Sequence, residues 1–309
     1  MQNTQNAERS LHSLEKIVAL AALAAVLALA VGFAQAAEPR QTDPRYKHKS
    51  TARAPHPDEV YLRSAVALVQ DANSGETLIA KNQGVILPIA SITKLMTAMV
   101  ILDAGVNLDQ RVAISGDDYD YVKGTRSRLR PGTVLTRDEL LLLALMSSEN
   151  RAAASLARTY PGGTAVFVAA MNAKAAALGM NDTRFVDATG LSSANVSSAR
   201  DLARLVGAAH EYPLIRQYST RESASVQSLG RKLDYRNTNG LVRNAKWDID
   251  LQKTGYISEA GRCLVMRVRM ASREVIVVLL DSWGKFSRVG DANRIKKWLE
   301  ANAAKGPRG

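Results

Sequence analysis

Cysteine is almost missing from this chain of 309 residues: Cys263 stands alone, so no disulfide can close within it. It falls in an apolar strand pattern, which reads as a buried, inert thiol. Histidine is scarce too. Neither the spacing of His12, His48, His56 and His210 nor any cysteine-rich cluster supplies a zinc site. A Ser-His-Asp triad would rest wholly on His210, which falls on a helix expected at the surface. After Phe33 no apolar run is long enough to span a bilayer. Low-complexity tracts and internal periods are absent, which sets aside repeat architectures.

What is present begins with an export pattern. Arg9 and Lys16 precede an apolar run from Ile17 to Phe33, and Ala34-Gln35-Ala36 follows as a small-x-small site. Residues 1–36 read as a signal peptide cut after Ala36, with an uncleaved amino-terminal anchor as the alternative. Residues 37–57 are basic, carry Pro39, Pro44, Pro55 and Pro57, and read as a linker. The folded domain is expected over 58–303, with 304–309 as a tail. The formal charge is +12, and removing 1–36 leaves it unchanged because Glu8 and Glu15 balance Arg9 and Lys16. An exported, periplasmic, cationic protein suits loose association with an anionic wall or membrane surface; nucleic acid is not an expected partner.

Within the domain, Ser64–Asp71 and Glu76–Lys81 pattern as strands around an Asn73-Ser74-Gly75 turn. Helical periodicity follows over 91–104, 136–147, 163–178 and 199–210. Leu140–Met146 is apolar on all sides, as in a buried helix. Strands return over about 249–257, 262–270 and 273–281, before a closing helix over about 288–303. Leu264, Met266, Val268 and Met270 share one strand face, and the unbroken Val275–Leu280 run predicts a central strand covered on both sides. This order predicts an α/β fold: one domain with an antiparallel sheet flanked by helices and an inserted all-helical subdomain. The cleft between the two parts is the expected site.

Three short motifs fall in that frame: Ser91-Ile92-Thr93-Lys94, Ser148-Glu149-Asn150 and Lys253-Thr254-Gly255. Ser-x-x-Lys also occurs at Ser13–Lys16 and Ser282–Lys285, and Ser-x-Asn at Ser193–Asn195, which reads as a cap of the next helix. Placement separates the copies. Ser91 opens a helix with Lys94 one turn on, on the same face. A serine hydroxyl needs a neighbour to take its proton, and Lys94 suits that task if burial and a nearby cation such as Lys253 lower its pKa. Ser148, after the buried helix, is placed to relay a proton, and Asn150 to hold a substrate amide. Lys253 and Thr254 lie on a strand and suit a carboxylate, while Gly255 lets a substrate backbone approach. The N–H groups of Ser91 and Tyr256 form a candidate oxyanion hole. Arg126, Arg128 and Arg130 suit an anionic glycan peptide or a solvated loop equally.

With these motifs in order, residues 58–300 resemble the penicillin-binding serine DD-peptidases, and most closely the penicillin-binding protein 7 type of D-alanyl-D-alanine endopeptidase. Leu87–Thr97, Gly124–Leu129, Leu145–Ala153 and Lys253–Met266 carry further matches. The resemblance implies acylation of Ser91 by peptidoglycan stem peptides with Lys94 as general base, then hydrolysis by water. It implies covalent inhibition by β-lactams and no metal or organic cofactor. It also implies a serine β-lactamase/DD-peptidase-like fold. Endopeptidase action on D-Ala–diaminopimelate cross-links is favoured by this likeness and by a chain that stops just past the closing helix. A D-Ala-D-Ala carboxypeptidase is the alternative. A β-lactamase is disfavoured because no Glu-x-x-Leu-Asn segment lies between Ser148 and Lys253; a non-catalytic penicillin-binding sensor is the remaining reading.

Overall fold

A computed structural model describes residues 60–304. The expected signal peptide, the linker and the tail beyond Ala304 lie outside the described residues. Strand β1 (Ser64–Asp71) turns into β2 (Thr77–Lys81). The turn is tied by the Asp71 carboxylate, which accepts the N–H groups of Asn73 and Ser74. Strand β3 (Leu87–Pro88) leads through a 3-10 turn (Ala90–Ile92) into helix α1 (Thr93–Asp103). The pair β4 (Arg111–Ala113) and β5 (Val134–Thr136) is followed by α2 (Arg137–Met146), α3 (Asn150–Arg158) and α4 (Gly163–Ala177). Strand β6 (Val196–Ser197) returns to pair with β3, and α5 (Ala199–His210) and α6 (Pro213–Thr220) complete the helical part. A hairpin, β7 (Ser223–Ser228) and β8 (Arg231–Arg236), precedes the long strands β9 (Asp248–Ile257), β10 (Gly261–Met270) and β11 (Arg273–Ser282). Helix α7 (Ser287–Ala303) follows.

The main sheet runs β2-β1-β11-β10-β9 with every pairing antiparallel. The first strand therefore lies beside the last, with Val66 opposite Leu280. The helices between them are an excursion from one sheet, as the order of patterns predicts. Strand β11 is central and covered on both sides: Ile276, Val278 and Leu280 pack with the helical part, Val275, Val277 and Leu279 with Ile295 and Leu299 of α7. Leu264, Met266, Val268 and Met270 join that second layer, the face their alternation predicts. Strand β9 sits at the end of the sheet, so one of its edges stays open.

Helix α2 starts at a reciprocal cap: Thr136 Oγ1 accepts the Glu139 N–H, and the Glu139 carboxylate accepts the Thr136 N–H. Every residue from Leu140 to Met146 is buried, which explains why this helix has no polar face. Helices α3 and α6, the β7–β8 hairpin and the short strand pairs β3–β6 and β4–β5 have no counterpart in the periodicity. In α3 half of the buried positions are alanines, Ala152, Ala153 and Ala157, and Leu156 is the one large apolar side chain among them, so the apolar repeat is blurred. Helix α6 is eight residues, two turns, too short to establish a period. Strand β7 buries only Ala224 and Val226 among its apolar residues, between exposed polar ones.

Asp291 of α7 ties the start of β1 to the outer helix. Its fully buried carboxylate accepts the N–H groups of Arg63 and Ser64 at 2.9 and 2.7 Å and the Ser64 hydroxyl at 2.5 Å, and it pairs with Arg294. Removing it leaves buried donors with no acceptor. Asp291→Ala is expected to lower unfolding free energy by about 2–3 kcal/mol, measured by urea denaturation.

Candidate active site

The three motifs converge where α1, the α2–α3 junction and β9 meet. Ser91 lies in the 3-10 turn and Lys94 in the first turn of α1. The Lys94 Nζ donates to Ser91 Oγ at 2.9 Å, to Asn150 Oδ1 at 2.8 Å and to the Thr189 carbonyl at 2.6 Å. Three acceptors satisfy its three donors although Lys94 has no exposed surface. Burial pulls its pKa down from 10.5 to about 7, against the opposing pull of Asp187, Glu149 and Asp120. The expected help from Lys253 is not what lowers Lys94. The repulsion falls on Lys253, whose pKa is depressed first by burial, then by Lys94 and Arg288.

Ser148 occupies the link between α2 and α3 with φ of 60°, a left-handed conformation that a serine adopts only under constraint. Its Oγ accepts a hydrogen bond from Lys253 Nζ at 2.8 Å, and Lys253 also donates to the Thr254 carbonyl at 3.0 Å. Ser91 and Ser148 thus each hold the nitrogen of a buried lysine. Asn150 begins α3 and, besides accepting from Lys94, donates through Nδ2 to Thr125 Oγ1 at 3.0 Å. Thr254 shares a 2.6 Å hydrogen bond with Thr238. The Tyr256 ring is exposed and lies beneath the Arg262 guanidinium at 4.7 Å.

Backbone approach is close enough to demand glycine at two points. A methyl group on Gly255 would sit 2.8 Å from the Ile89 carbonyl oxygen and 3.1 Å from the Ser91 nitrogen, so β9 passes directly against the turn that carries Ser91. On Gly190, with φ of +79°, it would collide with the Ala90 carbonyl at 2.0 Å. Ala90 itself has φ of 48°, so strain brackets Ser91 as it does the α2–α3 link.

Several residues of the site carry no motif. The Thr189 carbonyl is aimed at Lys94 by a loop wrapped on Asp187. One Asp187 oxygen accepts from the Thr189 N–H and hydroxyl and the Gly190 N–H, and the other from the Ser192 N–H. The Asp-x-x-Gly spacing is the signal that marks such a turn. Asn195 is not the cap of the next helix; Ser198 is. Buried Asn195 instead accepts the Val186 N–H and donates to Thr93 Oγ1 and the Asp187 carbonyl, stitching this loop to α1. Arg288 of α7 donates to the carbonyls of Gly255 and Cys263, placing a fixed positive charge behind β9. Cys263 is buried, its thiol pushed up to about 12 by burial, as an inert side chain would be. His210 pairs with Asp250 and Arg267 at a different part of the sheet, without a serine partner. Arg126 and Arg130 are exposed, and Arg128 is spent on the β7–β8 hairpin, against the Tyr235 ring and the Asp234 carbonyl. Among the described residues no group of carboxylate, histidine and cysteine side chains is arranged to hold a metal.

This geometry has relatives. Residues 50–284 match the family model described as D-alanyl-D-alanine carboxypeptidase, peptidase S11. The chain belongs to that family. It is 48% identical over 276 residues to a D-alanyl-D-alanine endopeptidase of Pseudomonas aeruginosa, covering 89% of this chain and 86% of the relative. It is 45% identical to an Escherichia coli D-alanyl-D-alanine endopeptidase with the same coverage. Among solved structures it is similar to the Streptomyces K15 DD-transpeptidase, with a TM-score of 0.72 at 28% identity over 78% of this chain and 98% of that one. A D-alanyl-D-alanine carboxypeptidase from Mycobacterium tuberculosis superposes with a TM-score of 0.71 at 28% identity, over 80% and 94% of the two chains. The likeness to a serine DD-peptidase that the motifs carried is therefore borne out, and the sheet with its helical excursion is the fold of these relatives.

The contact at Gly255 makes one test direct. Gly255→Ala would push β9 off the Ser91 turn by a fraction of an ångström. Acylation by penicillin is expected to slow by about a hundredfold and the thermal midpoint to fall, because the atoms the methyl meets are backbone, measured by stopped-flow labelling and calorimetry.

Proposed function

We propose that this chain is an exported peptidoglycan hydrolase that opens D-Ala–diaminopimelate cross-links through an ester on Ser91. The observation that carries the reading is the buried Lys94 nitrogen, 2.9 Å from Ser91 Oγ, with a pKa near 7. A lysine that is half neutral at physiological pH can accept the serine proton as the oxygen attacks the D-Ala carbonyl. The N–H groups of Ser91 and Tyr256 would then bear the developing oxyanion. Ser148, held by Lys253, would pass a proton to the departing amine. Asn150 would hold the substrate amide, and Lys253 with Thr254 its carboxylate, helped by the positive charge of Arg288. Water would release the acyl group, and the mechanism calls for no cofactor.

β-Lactams, which present a reactive amide of the same shape, would trap Ser91. Asp187 is the carboxylate that acts most strongly on Lys94, but its two oxygens serve four donors of its own loop. It is poorly placed to drive hydrolysis of a trapped β-lactam, which argues against a β-lactamase. The endopeptidase names of the relatives at 48% and 45% identity favour cross-link cleavage. The family description and relatives such as a Streptomyces K15 carboxypeptidase at 30% identity support terminal D-Ala removal as the second reading. No helix of the described residues is long and apolar enough to cross a membrane. Export rests on the amino-terminal pattern, and loose wall or membrane association on the basic charge.

Ser91→Ala is expected to abolish covalent labelling by a fluorescent penicillin; a labelled variant would remove Ser91 from the role of nucleophile. The neutral fraction of Lys94 grows as pH rises through about 7, so acylation should increase with pH up to that point and level off above it. Lys94→Ala should lose that profile and about 100-fold or more in acylation rate while remaining folded. Mass spectrometry on a cross-linked muropeptide dimer and a monomeric pentapeptide decides between the two peptidase readings. Cleavage of the dimer between D-Ala and diaminopimelate is expected; loss of terminal D-Ala alone would overturn the endopeptidase.

A further inference from the structure

An ion pair joins two loops that flank the site. Lys123 lies on the loop between β4 and β5, Glu259 on the turn from β9 to β10, and their charged ends meet. Both arms lead back to the site. The Asp120 carboxylate accepts the Val122, Lys123 and Thr125 N–H groups and the Thr125 hydroxyl, and that hydroxyl accepts from Asn150, which holds Lys94. Glu259 stands four residues beyond Gly255 on the same run of chain as the open edge of β9. The side chains are 26% and 41% exposed, so a ligand can reach both. Hydrogen bonding from Lys123, then Ser258, holds the Glu259 carboxyl down at about 2, so it stays ionised.

An extended peptide adding to the free edge of β9 would run beneath this pair. Under the reading above, the leaving-group carboxylate sits at Lys253 and Thr254 and the scissile carbonyl at Ser91 and Tyr256. The acyl-donor half therefore extends toward the turn after Ile257 that carries Glu259, three residues past Tyr256. The donor residue before D-Ala is diaminopimelate, whose free end carries an ammonium and a carboxylate on one carbon. One loop presents an ammonium and the other a carboxylate. We propose that Lys123 and Glu259 form a subsite for this zwitterionic end: Lys123 takes its carboxylate, Glu259 takes its ammonium, and the resident ion pair is exchanged for two with the substrate. An exposed ion pair is easily given up, and the exchange leaves no charge unpaired. A lysine in the same place would leave Lys123 without a partner and beside a like charge. A norleucine would offer neither charge.

This inference rests on the peptidase reading, and one experiment separates their fates. The full chain and its Glu259→Gln and Lys123→Met variants are assayed on peptide dimers cross-linked from D-Ala to diaminopimelate, with meso-diaminopimelate, lysine or norleucine at the third position of the donor stem. The wild type is expected to prefer diaminopimelate over lysine and norleucine by about tenfold in kcat/KM, and both variants to reduce that preference to about twofold or less. Penicillin acylation and thermal midpoint are read alongside. A uniform fall on all three peptides and on penicillin would mean the pair only braces the loop, and would overturn the subsite. So would a wild type that ignores the third residue, or variants that keep the preference. A wild type that is acylated by penicillin yet cleaves none of the peptides would instead overturn the peptidase reading, and the subsite with it.

Discussion

The Lys94 ammonium nitrogen lies where three acceptors from three parts of the chain meet: the Ser91 hydroxyl, the Asn150 amide oxygen and the Thr189 carbonyl. Burying a lysine is costly, and the cost is tolerable only if every donor is satisfied or the group sheds its proton. Here both conditions operate. The acceptors permit the charged form, and burial brings the neutral form within reach near pH 7. Much of the surrounding architecture can be understood as holding those acceptors in place. Asp187 and Asn195 shape the loop that presents Thr189, the α2–α3 link presents Asn150, and the turn before α1 presents Ser91.

Strain gathers at the same place. Ala90 and Ser148 both occupy left-handed backbone conformations, and Gly190 and Gly255 make approaches that no side chain allows. A rigid frame is needed to maintain such positions. The sheet supplies it through β11, covered on both faces, and through the tie from Asp291 to the start of β1. The second buried lysine, Lys253, is held on β9 with Arg288 behind it, so positive charge accumulates on one side of the cleft. An anionic group placed there would relieve the repulsion among these side chains, and its binding would be coupled to their protonation.

Family membership and geometry reinforce each other at different levels. The S11 match and the solved relatives establish the fold and the class of enzyme. The local contacts explain how a lysine can serve where other serine enzymes use histidine, because depth in the protein substitutes for an intrinsically lower pKa. His210, the one histidine well inside the chain, is occupied with Asp250 and Arg267 instead.

Much of this protein was legible in the order of its residues. The strands β1, β9, β10 and β11, the buried helix α2 and the closing helix follow from the apolar pattern, because each packs against a large apolar partner, β1, β11 and α2 on all sides and the closing helix on one face. Ser91, Lys94, Ser148, Asn150 and Lys253 were singled out by spacing combined with position on those elements, and the structure joins them in two hydrogen-bonded sets. The alanine-rich α3, the short α6 and the polar β7–β8 hairpin left too weak a period to be seen. Tertiary structure alone decided that Asn195 braces the loop presenting Thr189 rather than capping a helix, and that burial rather than Lys253 lowers Lys94. It alone joined Lys123 to Glu259, 136 residues apart. These are contacts between distant segments and the loss of water around them. Neither leaves a repeat or a local spacing in the chain, so each exists only once the sheet has closed around its helical excursion.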